Sequence, residues 1–410
     1  MFVGVLGQAG TWGVYRYNLL KGQLGVMVIE NPHFDIINPN NNPGSVGLLY
    51  SRAEHRLVGI RYMTDWLHTI WLDPGFVAVQ EAVDRVLPQT NNLLTSWSDD
   101  RSKFLVLAVT ERSPGTYYLF DAAKHRFTKL GDRAPWIKPE ELAEVFSITF
   151  NARDGLKLHG YLTYPPGKAR KGLPLVVFPH GGPFARDTMD YDSVLQFLAT
   201  RGYAVLQVNY RGSPGFGQAY YLAGWHEVGK KIQDDITDGV KALITGGVAD
   251  PKRIAIFGGS YGGYSALWGL ENTPELYRCG ISLAGVTDWV ALLGRATQKV
   301  RFGEHLAGTE YAHNYWKEKI GDPATDEASL KAISPLYHVD RIQAPVLIVQ
   351  GTEDRNVPDS QAKDLVAALD ARHANYDAWF VKGEGHSYFH EKEREELFNR
   401  IDAFLAKNMQ

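Results

Sequence analysis

Arg253-Ile254-Ala255-Ile256-Phe257-Gly258-Gly259-Ser260-Tyr261-Gly262-Gly263-Tyr264 is an apolar run that ends in Gly-x-Ser-x-Gly and leads into Ser265-Ala266-Leu267-Trp268-Gly269-Leu270. It reads as a strand, a sharp turn and the start of a helix. Glycine carries no Cβ, so Gly258 and Gly262 let strand and helix approach closely. The turn then pushes Ser260 Oγ out above the sheet, where a substrate can reach it. Taken alone, the pattern also fits a plain glycine-rich turn, so its surroundings decide.

A serine hydroxyl needs a base to take its proton, and the base needs a carboxylate to orient it. Two later segments offer them. Val346-Leu347-Ile348-Val349-Gln350-Gly351-Thr352-Glu353-Asp354 is a strand that runs into an acidic loop. Trp379-Phe380-Val381-Lys382-Gly383-Glu384-Gly385-His386 is a strand that runs into a loop with a histidine. The order Ser, Asp, His is that of the α/β hydrolases. Asp354 could instead cap a turn, with Glu353 in its place, and His386 is one of 13 histidines. Order and position at strand ends together favour Ser260, Asp354 and His386 as nucleophile, orienting acid and base. Val176-Val177-Phe178-Pro179-His180-Gly181-Gly182-Pro183 supplies the other requirement, a loop whose N–H groups can hold an oxyanion. The expected donors are the Tyr261 N–H and an N–H from Gly181 or Gly182.

Strand candidates at 175–178, 204–209, 254–257, 280–283, 346–349 and 378–381 alternate with helical stretches at 232–244 and 361–371. A last helix at 394–407 shows an apolar stripe of Leu397, Ile401, Phe404 and Leu405. This alternation predicts an α/β fold with a mostly parallel sheet over residues 136–410, with ligands gathering at the carboxyl ends of its strands. Residues 1–135 differ. Segments 14–19, 69–74 and 117–122 are similar alternating strands. Polar turns leading into strands recur at 51–58 and 98–105. A period of about fifty residues suggests β-propeller blades, against a generic antiparallel domain. Two blades and part of a third cannot close into a ring. Exposed strand edges then lead one to expect a homo-oligomer, or an N-terminus shortened relative to similar proteins. Asp132–Glu141, rich in Pro and charge, reads as the boundary.

Composition narrows the function. The 410 residues are 44% hydrophobic and 22% charged, with a net charge of −3. Neither nucleic acid nor an acidic membrane is an expected partner. No run approaches the ~20 apolar residues of a membrane span. The start, Met1-Phe2-Val3-Gly4-Val5-Leu6-Gly7, lacks the basic leader of a signal peptide. The one cysteine, Cys279, lies in an apolar run and reads as a core thiol. A cytoplasmic setting is therefore expected. No cofactor is expected, and no metal: His390-Glu391 lacks the second histidine of a zinc-binding helix.

Together these motifs resemble the prolyl oligopeptidase family of serine peptidases, and most of all its acylaminoacyl-peptidase-like branch. The resemblance rests on the nucleophile motif at 258–264, the His-Gly-Gly-Pro loop at 180–183 and Asn209-Tyr210-Arg211-Gly212-Ser213-Pro214-Gly215-Phe216-Gly217. It rests equally on the aspartate loop at 351–358 and the histidine loop at 383–386. It implies an α/β-hydrolase domain preceded by a β-propeller, here partial, and cleavage of short peptides. It also implies that Tyr261, Val286, Trp289 and Val357 line the pocket for the side chain before the scissile bond. The paired-glutamate motif of dipeptidyl peptidases is not visible. A carboxylesterase acting on small acyl esters is the alternative, and a silent binding module on the same fold is a third. Whichever substrate applies, the rate should fall in acid as the base gains a proton.

Overall fold

The computed structural model describes residues 1–37, 47–297, 310–387 and 390–410. Three antiparallel meanders come first. One is β1 (Phe2–Leu6), β2 (Trp12–Asn18) and β3 (Gln23–Ile29). The next is β4 (Gly47–Ser51), β5 (Arg56–Met63) and β6 (Leu67–Trp71). Helix α1 (Pro74–Val86) separates it from the third, which is β7 (Asn91–Trp97), β8 (Lys103–Thr110), β9 (Ser113–Asp121) and β10 (Arg126–Asp132). The recurrent turns at 51–58 and 98–105 are the first hairpin turns of the second and third sheets. The similar strands β6 and β9 are each third in their sheets, whereas β2, the remaining strand of that set, is second in its own.

Helix α1 is absent from the sequence-based reading, which ran a strand through 69–74. The strand stops at Trp71 for a local reason. Asp73 accepts from the Gly75 and Phe76 N–H groups at 2.8 and 3.1 Å, capping the helix. Pro74 fills the first helical position, where its missing N–H has no cost. Phe76 and Val83 of α1 then pack with Val58, Trp71, Leu94, Phe104, Val106 and Phe120 into a core of their own.

The second half is one eight-stranded sheet. Its strands are β11 (Val145–Asn151), β12 (Lys157–Thr163), β13 (Leu173–Val177), β14 (Ala204–Asn209), β15 (Ala249–Gly259), β16 (Cys279–Leu283), β17 (Val346–Gly351) and β18 (Tyr376–Val381). Their spatial order is β11-β12-β14-β13-β15-β16-β17-β18. β11 and β12 are antiparallel, and every pairing from β14 to β18 is parallel. The helices are α2 (Ser193–Thr200), α3 (Gln218–Leu222), α4 (Lys231–Thr245), α5 (Tyr261–Asn272), α6 (Trp289–Thr297), α7 (Glu310–Lys319), α8 (Glu327–Ala332), α9 (Asp359–Asp370) and α10 (Glu391–Asn408).

Every residue of β14 and β17 is buried, because helices cover both faces. One face packs on Ile232, Ile236 and Val240 of α4, on α5, and on Leu365 and Leu369 of α9. The other packs on Leu195 and Leu198 of α2 and on Leu397, Ile401 and Leu405 of α10. Phe404, the fourth member of the sequence stripe, is only partly buried. Cys279 is a fully buried core residue, and burial pushes its thiol up to about 12. No helix among the described residues is long and apolar enough to cross a membrane.

Turns and loops of the N-terminal region bond to two loops and to strand β12 of the second half. Gln218 N–H donates to Gly10 O at 2.8 Å, and Asp35 N–H to Gly215 O at 3.0 Å. Met189 N–H donates to Asp65 O at 2.9 Å, Arg186 Nη2 to Thr64 O at 2.7 Å, and Tyr161 Oη to Asp65 Oδ1 at 2.9 Å. Asp187 stands in the chain between Arg186 and Met189, two of these contact residues. Burial, with Asp192 nearby, pushes its carboxyl up to about 8. A carboxyl raised on folding keeps its proton while the unfolded chain has lost it, so native stability falls as pH rises from about 4 to about 8. Asp187→Asn removes that titration. Its melting temperature should match wild type near pH 4 and exceed it by a margin that widens toward pH 8. A margin independent of pH would refute this account of Asp187.

Candidate active site

Ser260 sits between β15 and α5 with φ 58° and ψ −121°, a conformation rare for a residue with a Cβ. Two backbone contacts hold it there. Its N–H donates to Leu283 O of β16 at 2.8 Å, and its own carbonyl accepts the Tyr264 N–H at 3.0 Å. The flanking glycines are sterically required. A Cβ on Gly258 would lie 2.4 Å from Gly262 C, and one on Gly262 would lie 2.1 Å from Pro179 O. Tyr261 occupies the first position of α5, where the N–H has no intrahelical partner and points out of the helix end.

β17 and β18 pair in parallel, so both chains leave the sheet at the same edge as Ser260. The loops that follow are locked together. Glu353 N–H donates to Glu384 O at 2.9 Å, and Gly383 N–H to Thr352 Oγ1 at 3.0 Å. A Cβ on Gly351 would fall 2.3 Å from Gly385 O. This contact delivers His386 Nδ1 to Asp354 Oδ2 at 2.7 Å. The Asp354 side chain is wholly buried, whereas the His386 side chain keeps 24% of its exposure, which leaves its ring reachable from solvent. Asp354 Oδ1 accepts the Asn356 and Val357 N–H groups at 2.8 and 2.9 Å. Of the two neighbouring acids, Asp354 and not Glu353 meets the imidazole.

The loop after β13 lies on the other side of Ser260. A Cβ on Gly181 would be 3.6 Å from Ser260 Cβ and 3.5 Å from Gly259 O. His180 holds this loop from beneath. Its Nδ1 lies 2.7 Å from Gly181 O and 2.9 Å from Tyr210 Oη, and in the tautomer with the proton on Nδ1 it donates to that carbonyl. Nε2 faces Ser213 Oγ at 3.0 Å. Tyr210 stacks on the ring at 4.1 Å and donates its hydroxyl to His180 O at 2.9 Å. Burial pushes the imidazole down to about 4, so it is neutral at neutral pH. In a trans peptide the N–H points opposite the C=O. By fixing Gly181 O, His180 therefore aims the Gly182 N–H, and by fixing His180 O, Tyr210 aims the Gly181 N–H.

This explains the segment 209–217, which sequence reading could only match to a family signature. Asn209 Oδ1 accepts the Asp187 N–H at 2.7 Å. Tyr210 and Ser213 support His180. Arg211 forms a buried pair with Asp235, with Nε to Oδ2 at 2.8 Å and Nη2 to Oδ1 at 2.7 Å, and its Nη1 reaches Asp154 at 2.8 Å. The contacts span twenty or more residues of sequence, and no local pattern encodes them.

The candidate pocket residues Tyr261, Val286, Trp289 and Val357 are buried in one cluster, and the Tyr261 and Trp289 rings lie 6.3 Å apart. Gln361, which sequence reading passed over, ties their segments together. Its Oε1 accepts the Thr287 and Asp288 N–H groups at 2.8 Å each, and its Nε2 donates to Asp288 O at 3.0 Å. Glu384, His390 and Glu393 bring one potential ligand atom each within 4.8 Å of one another. His390 is bonded to Glu384 through Nδ1, and that bond raises its pKa, so the group reads as an ion pair.

A parallel sheet with a serine at a strained strand–helix turn, and an acid–imidazole pair two and three strands away, defines an α/β hydrolase. Residues 189–410 match the model of the prolyl oligopeptidase family. Dipeptidyl aminopeptidase BIII of Pseudoxanthomonas mexicana is 35% identical over 356 residues, 84% of this chain and 50% of that protein. The acylamino-acid-releasing enzyme of Rattus norvegicus is 31% identical over 214 residues, 51% of this chain and 27% of that one. The chain belongs to the prolyl oligopeptidase family. Among solved structures, puromycin hydrolase superposes with a TM-score of 0.77 at 23% identity, covering 99% of this chain and 60% of that one. An acylaminoacyl peptidase does so with 0.69 at 21%, covering 98% and 59%. These two likenesses speak to the fold. The chain spans half or less of the length of the relatives it matches.

Proposed function

We propose that this chain is a serine hydrolase that cleaves short peptides through an acyl-enzyme. The observation that carries the reading is the 2.7 Å bond between His386 Nδ1 and Asp354 Oδ2 at the edge where Ser260 projects. With Nδ1–H held by the carboxylate, Nε2 is left as the basic nitrogen. Ser260 Oγ attacks the scissile carbonyl carbon while His386 Nε2 takes the hydroxyl proton. The carbonyl oxygen gains the negative charge and is met by the Tyr261 N–H and the Gly181 or Gly182 N–H. His386 returns the proton to the leaving amine as the C–N bond breaks, and water repeats the sequence to free the acid. The relatives' names, dipeptidyl aminopeptidase and acylamino-acid-releasing enzyme, support peptides as substrates. Tyr261, Val286, Trp289 and Val357 would present an apolar wall to the residue before the scissile bond.

The test compares kcat/KM for an acyl-aminoacyl amide and a short-chain aryl ester. Amide turnover that depends on Ser260 supports the peptidase. Ester cleavage without amide turnover would assign a carboxylesterase instead. The loop support gives a separate expectation. His180→Ala should lower kcat by about 10²- to 10³-fold, the usual effect of losing one oxyanion donor. A loss confined to KM would contradict the role given to His180.

The reading extends to organisation. A division into 1–135, a partial propeller, and 136–410, the hydrolase, is supported by the change after Asp132 from separate antiparallel meanders to one mostly parallel sheet. Proteolysis first at the 133–142 connection would agree with it, and cleavage within β8 or β9 would not. Leu24, Val26 and Met27 of β3 are exposed, as are Leu19 and Leu20 beside it, which supports a homo-oligomer. Light scattering that gives the monomer mass at all concentrations would refute that. The buried lone thiol suits a reducing, cytoplasmic setting, which cell fractionation would check.

A further inference from the structure

We propose that Gln350 is a positioning residue for the Asp354–His386 pair, an inference that rests on the triad reading above. Gln350 is the penultimate residue of β17 and is 1% exposed. Its Nε2 lies 3.2 Å from Asp354 Oδ2, 3.1 Å from Val357 O and 3.1 Å from Gly351 O. All three are acceptors. Turning the amide over would set its oxygen against three oxygens, so the donating orientation is fixed.

The two oxygens of Asp354 are held differently. Oδ1 takes two backbone N–H groups, which no side-chain substitution removes directly. Oδ2 is the oxygen that meets His386, and its other donor among the described residues is Gln350. The same amide reaches Gly351 O and Val357 O, at the two ends of the loop that carries Asp354. Gln350 thus sets the rotation of the carboxylate about its last bond and closes the loop beneath it. A side chain without the NH₂ group removes the two N–H hydrogens that these three acceptors share and frees the carboxylate to turn from the imidazole. Proton transfer from Ser260 then slows, while substrate contacts stay in place.

A positional role predicts a pH signature that a mere structural role does not. In Gln350→Glu the new carboxyl stands beside the Asp354 carboxylate. Two adjacent carboxyls resist a double charge, so the new one holds its proton. While protonated it still donates to Oδ2, and once it ionises it repels Asp354 and leaves Oδ2 without that donor. Activity should therefore persist at lower pH and fall along an added alkaline limb. Among the described residues, the charged groups bonded to or adjoining this pair are Asp354 and His386, Glu353 and Arg355 flanking Asp354 in the chain, and Glu384 of the adjoining loop, paired with His390. All are present in wild type, whose profile serves as the control.

The experiment measures the rate at which a fluorophosphonate labels Ser260, and kcat and KM for a short aryl ester, across pH. It uses wild type, Gln350→Met, Gln350→Glu and Ser260→Ala. Gln350→Met should lower labelling and kcat by about 10- to 100-fold, the range for losing a hydrogen bond to a charged group, with KM unchanged. Gln350→Glu should add the alkaline limb, and it carries the test if Gln350→Met fails to fold. Unchanged labelling in Gln350→Met, or a wild-type pH profile in Gln350→Glu, would overturn the role of Gln350 and leave the triad standing. Wild type left unlabelled at Ser260 would overturn the triad reading, and this inference with it.

Discussion

Ser260→Ala should lower kcat by about 10⁶-fold with the fold intact, the scale of loss when the nucleophile of a working triad is removed. The alanine methyl occupies the same turn, and the backbone bonds from Ser260 N–H to Leu283 O and from Tyr264 N–H to Ser260 O do not involve the hydroxyl. Alanine meets the same penalty as serine at φ 58°, so stability should change little. What disappears is the hydroxyl that the proposed mechanism uses to form the acyl bond. Substrate should still bind, because the pocket candidates and the loop at 180–183 are untouched. A residual rate within a hundredfold of wild type would mean that the chemistry lies elsewhere.

Gly262→Ala should destabilise the protein by more than about 4 kcal/mol, the range reserved for large steric or polar faults. The added Cβ would stand 2.1 Å from Pro179 O, a backbone atom, and the Cβ itself is fixed by the backbone at 262, so no side-chain rotation relieves the clash. Strand β13, turn and helix would have to separate, carrying Ser260 away from the loop at 180–183. Gly259→Ala is the control within the same motif. Its Cβ would meet Leu283 O at 3.8 Å and Leu283 Cδ2 at 3.9 Å, ordinary contacts. Its denaturation midpoint should stay near wild type while that of Gly262→Ala falls or the protein fails to accumulate. Equal midpoints would show that the turn does not need the close approach.

The contrast between these glycines explains what could be read from sequence. The nucleophile turn is a local object, and its residues at 258, 260 and 262 carry its geometry within five positions. Strands β14 to β17 are equally plain, because burial on both faces leaves a continuous apolar run such as Val346–Val349. Helix α1 was missed because Thr69–Pro74 reads as one alternating strand until Asp73 is seen as a cap. The antiparallel pair β11 and β12 is not legible in the sequence, since its alternating residues lie outside the α/β rhythm. Order and position at strand ends point to an acid at 353–354 and to His386, yet which of the two acids meets the imidazole depends on the register of two loops brought together by β17 and β18. His180, Tyr210, Gln350 and Gln361 act through contacts set by tertiary placement, and their residue types alone give no such signal.

The central claim is that Ser260 is made nucleophilic by the His386–Asp354 pair. The most direct measurement is mass spectrometry of the protein treated with a fluorophosphonate. The account predicts one adduct per chain, mapped to Ser260, formed slowly or not at all in His386→Ala. An adduct on another residue, or labelling of Ser260 at the wild-type rate without His386, would contradict it.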